Sequence, residues 1–429
     1  MIYNKINFIF RSDLLKVFSF TGLSTLVKLL TSYVTLKVVA SIIGPSGIAL
    51  VGQLQNFINI LITLGGGGIN NGVVKYVSEY KEEETKLHQY LKNGFKITVY
   101  FSLICGVSLI LLSKYLGQWI LLDSSYYYVF IYFGISLFFM SMNNYLLSVI
   151  NGFKEFRKFV LINIITSIVG LLFTVALVLF MHIKGALIAT VTYQSVIFFI
   201  TVLFLRKNNW LSAKILWGSW DPAIIRKFLS YSSMSLVSVA TVPVSQLIIR
   251  GFLIKNYSMD VAGYWEGMNR ISGLYLMFVT TSFSVYYLPK LSELKSAGHL
   301  RIEIVKAYKI ITPIIVASLL IIYLLKDLVI NILFTKDFYP MKDLFSWQLL
   351  GDFFKVVSWI LAFVMVAKSM TKIYIITEIA FSVFLVVLSI VFINNFGVVG
   401  ATISYCLNYF LYFVVMIIIF KKLLFKTHE

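Results

Sequence analysis

The chain has 429 residues, of which 59% are hydrophobic and 13% charged, and its mean hydropathy is +0.88. This composition excludes an ordinary water-soluble domain. The formal net charge of +19 does not indicate nucleic-acid binding, because in a membrane protein a basic excess reports the side on which loops lie. We therefore expect a membrane-embedded chain with no nucleic-acid partner.

Apolar segments recur along the chain at about the 20-residue length that one helical crossing of a bilayer requires. The sequence predicts an all-α polytopic membrane protein with twelve transmembrane helices. In chain order the predicted spans are residues 14–43, 48–74, 94–113, 126–150, 159–180, 185–205, 229–254, 261–289, 307–325, 344–367, 373–393 and 397–420.

Lysine and arginine are divided unequally between the loops on the two sides. Most of the 37 basic residues fall at the termini or in loops on the same side as the termini. The opposite loops hold only Lys114, Lys184, Lys255, Lys326, Lys336 and Lys342. Because cytoplasmic loops carry the basic excess, both termini are predicted to be cytoplasmic.

The second half of the chain repeats the plan of the first. We predict an N-terminal six-helix lobe at residues 1–205, a basic cytoplasmic linker at 206–228 and a C-terminal six-helix lobe at 229–429. Parallel repeats of this kind commonly place a substrate site at their interface. The two lobes are therefore expected to surround a central cavity.

The first predicted span contains Lys28 and Lys37. A cation at the centre of a membrane helix costs about 2.5–3.5 kcal/mol on insertion scales, so it needs a partner, water or a function. Lys28 shares a stripe with hydroxyl side chains, which either line a cavity or bond the helix backbone; we favour the cavity. Lys37 is about half a turn out of phase and near enough to the interface to snorkel, so Lys28 is the stronger anion contact. The stripe comprises Thr21, Ser24, Thr25, Thr31, Ser32 and Thr35.

The seventh predicted span has a similar stripe and a further base, Arg250, four residues after Gln246. Pro243 lies in the same span, and a proline in a membrane helix removes a backbone hydrogen bond and permits bending. The sequence leaves two interpretations of Arg250 open, an anion contact or a side chain that snorkels to the interface. The stripe comprises Ser232, Ser235, Ser238, Thr241 and Ser245.

Two oppositely charged pairs follow at helical spacing. Glu266 and Arg270 are four residues apart. Asp352 and Lys355 are three apart, so each pair is expected to neutralise itself. Glu378 has no charged residue within one helical turn. It is interpreted either as a proton site or as the partner of a base on another helix.

Aromatic residues flank both charged pairs. Tyr264, Trp265 and Tyr275 accompany the first pair, and Trp359 follows the second. Amphipathic rings beside polar groups suit stacking on sugars, but Trp and Tyr are also ordinary residues of the membrane interface. The sequence leaves both interpretations open.

No catalytic or metal-binding motif is found in the sequence. The four glycines at residues 65–68 are not followed by the Lys-Ser/Thr pair of a phosphate loop. The four histidines and two cysteines show neither metal-ligand spacing nor a nucleophile beside a base. We expect no enzyme activity, no metal and no cofactor.

Five stretches of the chain resemble the Wzx family, the flippases for undecaprenyl-pyrophosphate-linked oligosaccharides. They look closest to its enterobacterial common antigen and O-antigen branches. The family belongs to the multidrug/oligosaccharidyl-lipid/polysaccharide exporter superfamily. The resemblance therefore implies a multi-pass protein of the bacterial inner membrane whose cavity opens alternately to each side. The stretches are STLVKLL (24–30), GPSGIALVGQLQNF (44–57), GGGGINNGVVKYVSEY (65–80), SFSVYYLPKLSEL (282–294) and FSWQLLGDFFKVVSWILAFVMVAKS (345–369).

The resemblance also implies roles for the residues singled out above. The substrate pyrophosphate would contact basic side chains, and the sugars of the substrate would contact the four aromatic residues. A polymerase and a chain-length regulator of the same pathway are expected partners. Glu266 and Arg270 fall where uncharged polar residues are expected in relatives. Pyrophosphate candidates are Lys28, Lys37, Arg250, Arg270 and Lys355, and proton- or ion-coupling candidates are Glu266, Asp352 and Glu378.

Two alternative functions stay open. A cation-coupled multidrug exporter of the same superfamily would have a predominantly acidic cavity. A membrane glycan polymerase would need a large extramembrane loop with catalytic residues. Neither feature is expected from this sequence, so a flippase is favoured.

Overall fold

The computed structural model describes residues 13–206, 208, 210, 220–294, 296–368 and 370–425. Every regular element in these ranges is helical, which confirms the prediction of an all-α protein. Two 3₁₀ segments lie at Ser124–Tyr126 and Lys336–Leu344, and a π-helical segment lies at Phe283–Tyr287. The α-helices are α1 (Asp13–Gly65), α2 (Asn70–Tyr80), α3 (Glu84–Leu111), α4 (Ser113–Ile120), α5 (Tyr127–Gly152), α6 (Phe156–Leu205), α7 (Pro222–Asn256), α8 (Met259–Ser282), α9 (Leu288–Glu293), α10 (Ala297–Leu324), α11 (Lys326–Leu333), α12 (Phe345–Ala367), α13 (Thr371–Phe396) and α14 (Val398–Phe425).

Eight helical stretches of the described chain are long and apolar enough to cross a membrane. They include neither α7 nor α8, which carry several of the charged candidate residues. The stretches are Ser24–Gly65, Glu84–Leu111, Ser124–Gly152, Phe156–Leu205, Ala297–Leu324, Lys336–Ala367, Thr371–Phe396 and Val398–Leu424.

Two of these stretches are too long for a single crossing. Ser24–Gly65 has 42 residues and Phe156–Leu205 has 50, whereas about 20 residues span the hydrocarbon core. Each is broken near its middle, α1 at Gly44 (φ 64°, ψ −169°) and α6 at His182 (φ 50°, ψ −127°). Each of the two helices therefore consists of two arms. The breaks fall between the first and second and between the fifth and sixth predicted spans.

The break in α1 follows from its sequence. Gly44 adopts a positive φ that glycine reaches without steric cost, and Pro45 then lacks the backbone N–H that would continue the helix ladder. A side chain at Gly44 would have open space around it, since no atom lies within 4 Å of the position its Cβ would take. Backbone conformation, not packing, is therefore what requires glycine at this position.

The chain divides into two compact units. The first comprises Met1–Ile42 and Gln53–Ala240, and the second comprises Ile43–Gly52 and Thr241–Glu429. The second unit thus includes a short piece of α1 that begins beside the break at Gly44. Much of the predicted linker at 206–228 lies outside the described residues. The predicted lobe boundaries and the cytoplasmic termini stay predictions.

The core of the first unit is an apolar cluster built from α2, α3, α5 and α6 with the start of α7. Tyr145 is fully buried in it and donates a hydrogen bond to the carbonyl of Leu91 over 2.7 Å. Close approach of α3 and α5 depends on Gly106 and Gly134. A Cβ on either would lie 2.6 Å from the carbonyl oxygen of the other, and such small residues are what lets membrane helices pack closely.

The core of the second unit lies between the π-helical segment, α9, α10, α12 and α14. Tyr287 and Tyr308 donate hydrogen bonds to the carbonyls of Ile360 and Val357 over 3.2 and 2.9 Å. Both bonds reach α12 from neighbouring elements. They fix the helix that carries Asp352 and Lys355.

Candidate functional site

Lys355 on α12 is surrounded by aromatic rings. Its Nζ lies 5.3 Å from the ring centroid of Trp359, 5.4 Å from that of Tyr405 and 4.8 Å from that of Tyr409. Ring faces carry partial negative charge and attract a cation, most strongly where water is excluded. We call Trp359, Tyr405 and Tyr409 the Lys355 cage. Trp359 was predicted to accompany Lys355, whereas the two tyrosines come from α14.

Asp352 is fully buried one turn before Lys355. Its Oδ1 accepts a hydrogen bond from the Tyr405 hydroxyl over 2.7 Å. Its Oδ2 accepts one from Ser272 over 2.7 Å and another from the Tyr275 hydroxyl. Three donors compensate for much of the hydration that the carboxylate loses on burial.

The expected ion pair between Asp352 and Lys355 does not form among the described residues. The carboxylate is held by hydroxyls from α8 and α14, and the ammonium is held by the Lys355 cage. Three-residue spacing places the two side chains on one face of α12, but neighbouring helices supply better placed partners. The cation is therefore not neutralised by direct contact with its helical neighbour.

Glu378 on α13 is partly buried and lies within electrostatic range of Lys355. Pairing with a base on another helix was one of the two interpretations of this carboxylate, and the other was a proton site. Lys355 thus has an acidic group on each of two helices in its surroundings, Asp352 on α12 and Glu378 on α13.

Arg250, Glu266 and Arg270 form a second charged cluster in the same unit. Arg250 is fully buried, and its Nη2 donates to Oε2 of Glu266. Arg270 Nε donates to Oε1 of the same carboxylate over 2.9 Å. The predicted pair of Glu266 and Arg270 is confirmed, and the interpretation of Arg250 as a snorkelling side chain is wrong, because its guanidinium has no exposed surface.

The predicted aromatic residues near this cluster are also engaged. The Arg250 guanidinium lies 5.4 Å from the ring centroid of Trp265. Tyr264 packs edge-on against Phe338, with ring centroids 6.3 Å apart. Tyr275 donates to Asp352 instead. Three of the four predicted sugar contacts, Trp265, Tyr275 and Trp359, therefore also contact a charged side chain.

The short piece of α1 in the second unit packs against the charged cluster. A Cβ at Gly52 would overlap the Glu266 carboxylate, and a Cβ at Gly263 would overlap the backbone of Pro45. Glycine at both positions lets residues 43–52 and α8 approach closely. The piece that follows the break in α1 therefore covers Glu266.

Lys28 and Lys37 belong to the first unit. Lys28 is exposed and Lys37 half-buried. On the predicted stripe, Thr31 donates to the carbonyl of Val27 over 2.9 Å and Thr35 to that of Thr31 over 2.8 Å. These hydroxyls bond their own helix, as in the alternative interpretation. The Thr21 side chain lies outside the described residues.

The polar stripe of α7 connects to α13. The helix continues through Pro243 without interruption. Near it, the hydroxyls of Ser245 and Ser382 lie 2.6 Å apart, and Ser382 donates to the carbonyl of Thr241 over 2.9 Å. The proline therefore lies in a stretch that hydroxyl groups link to a neighbouring helix. The side chains of Ser235 and Ser238 lie outside the described residues.

The sequence analysis did not single out Ser272 of α8, Gln348 of α12 or the two tyrosines of α14, all of which lie around Asp352 and Lys355. Tyr405 and Tyr409 are four residues apart in an apolar helix, a spacing that places them on one face and was a usable signal. Gln348 donates to Ser272 over 3.2 Å and had no such signal. Lys96 was grouped with the loop bases, but it lies buried on α3 with Nζ 5.0 Å from the Trp220 ring centroid.

No group of three or more His, Cys, Asp or Glu side chains that could hold a metal ion is found within the described ranges. Both cysteines, Cys105 and Cys406, are free thiols.

The fold is that of a known class of membrane transporters. An inward-facing multidrug resistance MATE family transporter of the MOP superfamily matches with a TM-score of 0.77 at 14% identity, over 92% of this chain and 94% of that one. The lipid II flippase MurJ, in an inward closed conformation, matches with a TM-score of 0.71 at 15% identity, over 95% of this chain and 87% of that one. Identities this low show a shared fold alone.

The family follows from sequence. The model of the polysaccharide biosynthesis protein family matches residues 14–295. Proteins named lipid III flippase from Escherichia coli (strain K12) and Shigella flexneri are each 30% identical over 401 residues, which is 94% of this chain and 96% of theirs. The chain belongs to the polysaccharide biosynthesis protein family and is a multi-pass membrane protein. The predicted resemblance is confirmed.

Proposed function

We propose that this protein is a flippase that moves an undecaprenyl-pyrophosphate-linked oligosaccharide repeat unit, of O-antigen or common-antigen type, across the bacterial inner membrane. The observation that carries the proposal is 30% identity to lipid III flippases over 94% of the chain. Transport is from the cytoplasmic to the periplasmic leaflet by alternating access. A polymerase and a chain-length regulator, as partners that receive the flipped unit, belong to the same proposal.

The substrate pyrophosphate carries negative charge and requires cationic contacts in a site shielded from water. Lys28, exposed on α1, and Lys355, which has no ion pair among the described residues, are the primary candidates. Arg270 and Lys37 are secondary candidates. Arg250 is buried against Glu266, so we assign it to positioning that carboxylate.

Twelve crossings with both termini cytoplasmic remain part of the proposal. Eight apolar stretches are present, two of them broken into two arms. The polar helices α7 and α8 would supply the remaining two crossings, because both are long enough, at 35 and 24 residues. Polar helices within a membrane bundle face protein or a water-filled cavity, as a path for a charged head group requires.

A multidrug exporter of the same fold and a glycan polymerase are less well supported. The exporter shares the fold at 14% identity, whereas the 30% identity is to proteins named flippases. Those relatives are transporters and not catalysts, so the polymerase alternative has no relative among them.

Complementation tests this function. The chain is expressed in strains that lack their own flippase, and surface glycan is measured at matched membrane levels of the protein. We expect the unchanged chain to restore glycan in at least one strain and Lys28→Gln and Lys355→Gln to reduce it about tenfold, the effect of losing one charge-assisted contact.

Lys114→Gln is the matched control, because Lys114 is an exposed lysine on α4 outside both charged clusters, and it should complement fully. Failure of the unchanged chain in every strain, combined with drug resistance in an efflux-deficient host, would contradict the proposal and favour the exporter.

A further inference from the structure

We propose that Tyr405 is a positioning residue that couples the protonation of Asp352 to the release of Lys355 from its cage. In this scheme the freed ammonium binds a phosphate oxygen of the substrate. The inference rests on the proposed function, because it assigns Lys355 to the pyrophosphate. It goes further by naming the side chain that links the proton site to the anion site.

Tyr405 is the residue through which the two charges are joined. Its hydroxyl donates to Oδ1 of Asp352 over 2.7 Å, and its ring centroid lies 5.4 Å from Nζ of Lys355. Tyr409, one turn further along α14, also faces Lys355, at 4.8 Å. Of the two cage tyrosines, Tyr405 is the one whose hydroxyl bonds Asp352. A rotation of Tyr405 would therefore alter the surroundings of both charges.

Close packing of α12 and α14 brings the Tyr405 ring near both charges. A Cβ at Gly351 would lie 2.5 Å from Cδ1 of Tyr405 and 3.0 Å from Cα of Cys406. Glycine beside Asp352 thus allows the ring to lie against α12. In that position the hydroxyl reaches the carboxylate while the ring faces the lysine one turn later.

The hydrogen bonds indicate where a proton would enter. An ionised carboxylate has about four acceptor positions, two on each oxygen. Oδ2 is used by Ser272 and Tyr275, whereas Oδ1 accepts from Tyr405. The open acceptor position is on Oδ1, so a proton there leaves every bond to Oδ2 in place. A protonated oxygen is a poorer acceptor, so the bond that weakens is the one from Tyr405.

Loosening Tyr405 leaves Lys355 with two rings instead of three. Cation–π attraction is weaker than a charge-assisted hydrogen bond to a phosphate oxygen. A phosphate ligand can therefore compete for the ammonium once the cage opens. Loss of the proton from Asp352 restores the Tyr405 bond and favours ligand release.

Other titratable groups face this pair of charges and must be separated from the proposed effect. Glu378 lies within electrostatic range of Lys355 and is the main competitor as a proton site. The remaining groups are Tyr275 on α8, Tyr308 on α10 and Cys406 and Tyr409 on α14.

The test is binding of inorganic pyrophosphate to the purified full-length chain in detergent, measured by calorimetry at pH 6 and pH 8. Each variant is compared with the unchanged chain at the same pH, which removes the titration of pyrophosphate itself. We expect Tyr405→Phe, which keeps the ring and loses the hydroxyl, to bind pyrophosphate at least about fivefold more tightly than the unchanged chain at pH 8. At pH 6 the two should bind equally tightly.

Matched variants separate this mechanism from others. Tyr257→Phe removes a tyrosine hydroxyl that donates to the carbonyl of Ile393 over 2.7 Å, outside both charged clusters, and should bind like the unchanged chain at both pH values. Lys355→Gln should weaken binding about tenfold at pH 6. Asp352→Asn should show the same affinities as Tyr405→Phe. Glu378→Gln should keep the difference in pyrophosphate affinity between pH 6 and pH 8. Thermal unfolding of each variant verifies that it is folded.

The proposal is overturned if Tyr405→Phe and Tyr257→Phe bind pyrophosphate alike at both pH values, or if Glu378→Gln alone abolishes the difference in affinity between pH 6 and pH 8. Complementation is scored separately. Restored surface glycan without the Tyr405 effect contradicts this inference alone. If Tyr405→Phe changes pyrophosphate affinity as expected but no strain regains surface glycan, the flippase function is contradicted. The coupling of Asp352 to Lys355 then stands.

Discussion

At the scale of single residues, the second unit satisfies its buried charges with partners from other helices. Asp352 is bonded to hydroxyls, Lys355 is held by rings, and Arg250 is paired with Glu266. An unpaired charge in a membrane is costly, so each partner stabilises the fold as well as the site. Polar substitutions in this region should therefore affect both stability and transport.

Loss of the Glu266 carboxylate should markedly lower the free energy of unfolding. Glu266→Gln would remove the carboxylate that pairs with Arg250, which is fully buried. Breaking a buried pair from one side costs about 3–5 kcal/mol. We expect a loss of this size in the free energy of unfolding, measured by denaturant titration in detergent.

Glu82→Gln is the control, because the Glu82 side chain is 84% exposed beside Lys81 and surface pairs contribute about 0–1 kcal/mol. Equal stability of the two variants would contradict the structural role given to Glu266.

Sequence reasoning found the charges but not their partners. Helical spacing correctly paired Glu266 with Arg270, because both lie on one helix. The same rule failed for Asp352 and Lys355, whose partners come from α8 and α14. It also left Arg250 undecided, because the carboxylate that binds it lies on the next helix. Helical periodicity predicts which side chains share a face of one helix. The partners of that face depend on how the other helices pack against it.

At the scale of elements, glycine and proline account for the break in α1, and glycine allows several close helix contacts. Gly44 and Pro45 end the first arm of α1 where the sequence placed a boundary between two spans. The break in α6 at His182 likewise lies between two predicted spans. Apolar length could predict both. It could not predict that residues 43–52 pack with the second unit, because that depends on contacts distant in sequence.

The crossing of α3 and α5 offers a test of helix packing. Gly134→Ala would place a Cβ 2.6 Å from the carbonyl oxygen of Gly106, a backbone atom that cannot rotate away. We expect a loss of about 1–3 kcal/mol in stability, the usual range for overpacking. The measurement is the detergent unfolding transition.

Gly273→Ala in α8 serves as the matched control, since no atom lies within 4 Å of its Cβ position. Alanine also has the higher helix propensity, by about 1 kcal/mol, so stability should stay unchanged or rise. If the two alanines destabilise equally, the close crossing does not contribute as described.

At the scale of the whole molecule, composition and length predicted the class and the resemblance predicted the family. Apolar segments that recur at the length of a bilayer crossing are typical of a multi-pass membrane protein. The transporter fold and the polysaccharide biosynthesis family agree with that class. The proposed transport of a charged, sugar-bearing lipid would account for basic and aromatic side chains in segments that an inert anchor would fill with leucine.

The proposed movement of a lipid-linked oligosaccharide across the membrane can be measured after reconstitution. The purified chain is placed in vesicles that carry a fluorescently labelled undecaprenyl-pyrophosphate oligosaccharide, and a membrane-impermeant quencher reports the leaflet in which the label lies. We predict that the unchanged chain transfers label between leaflets well above protein-free vesicles and that Lys28→Gln and Lys355→Gln slow the transfer. Transfer no faster than in protein-free vesicles, by folded protein and with each repeat unit tried, would contradict the account.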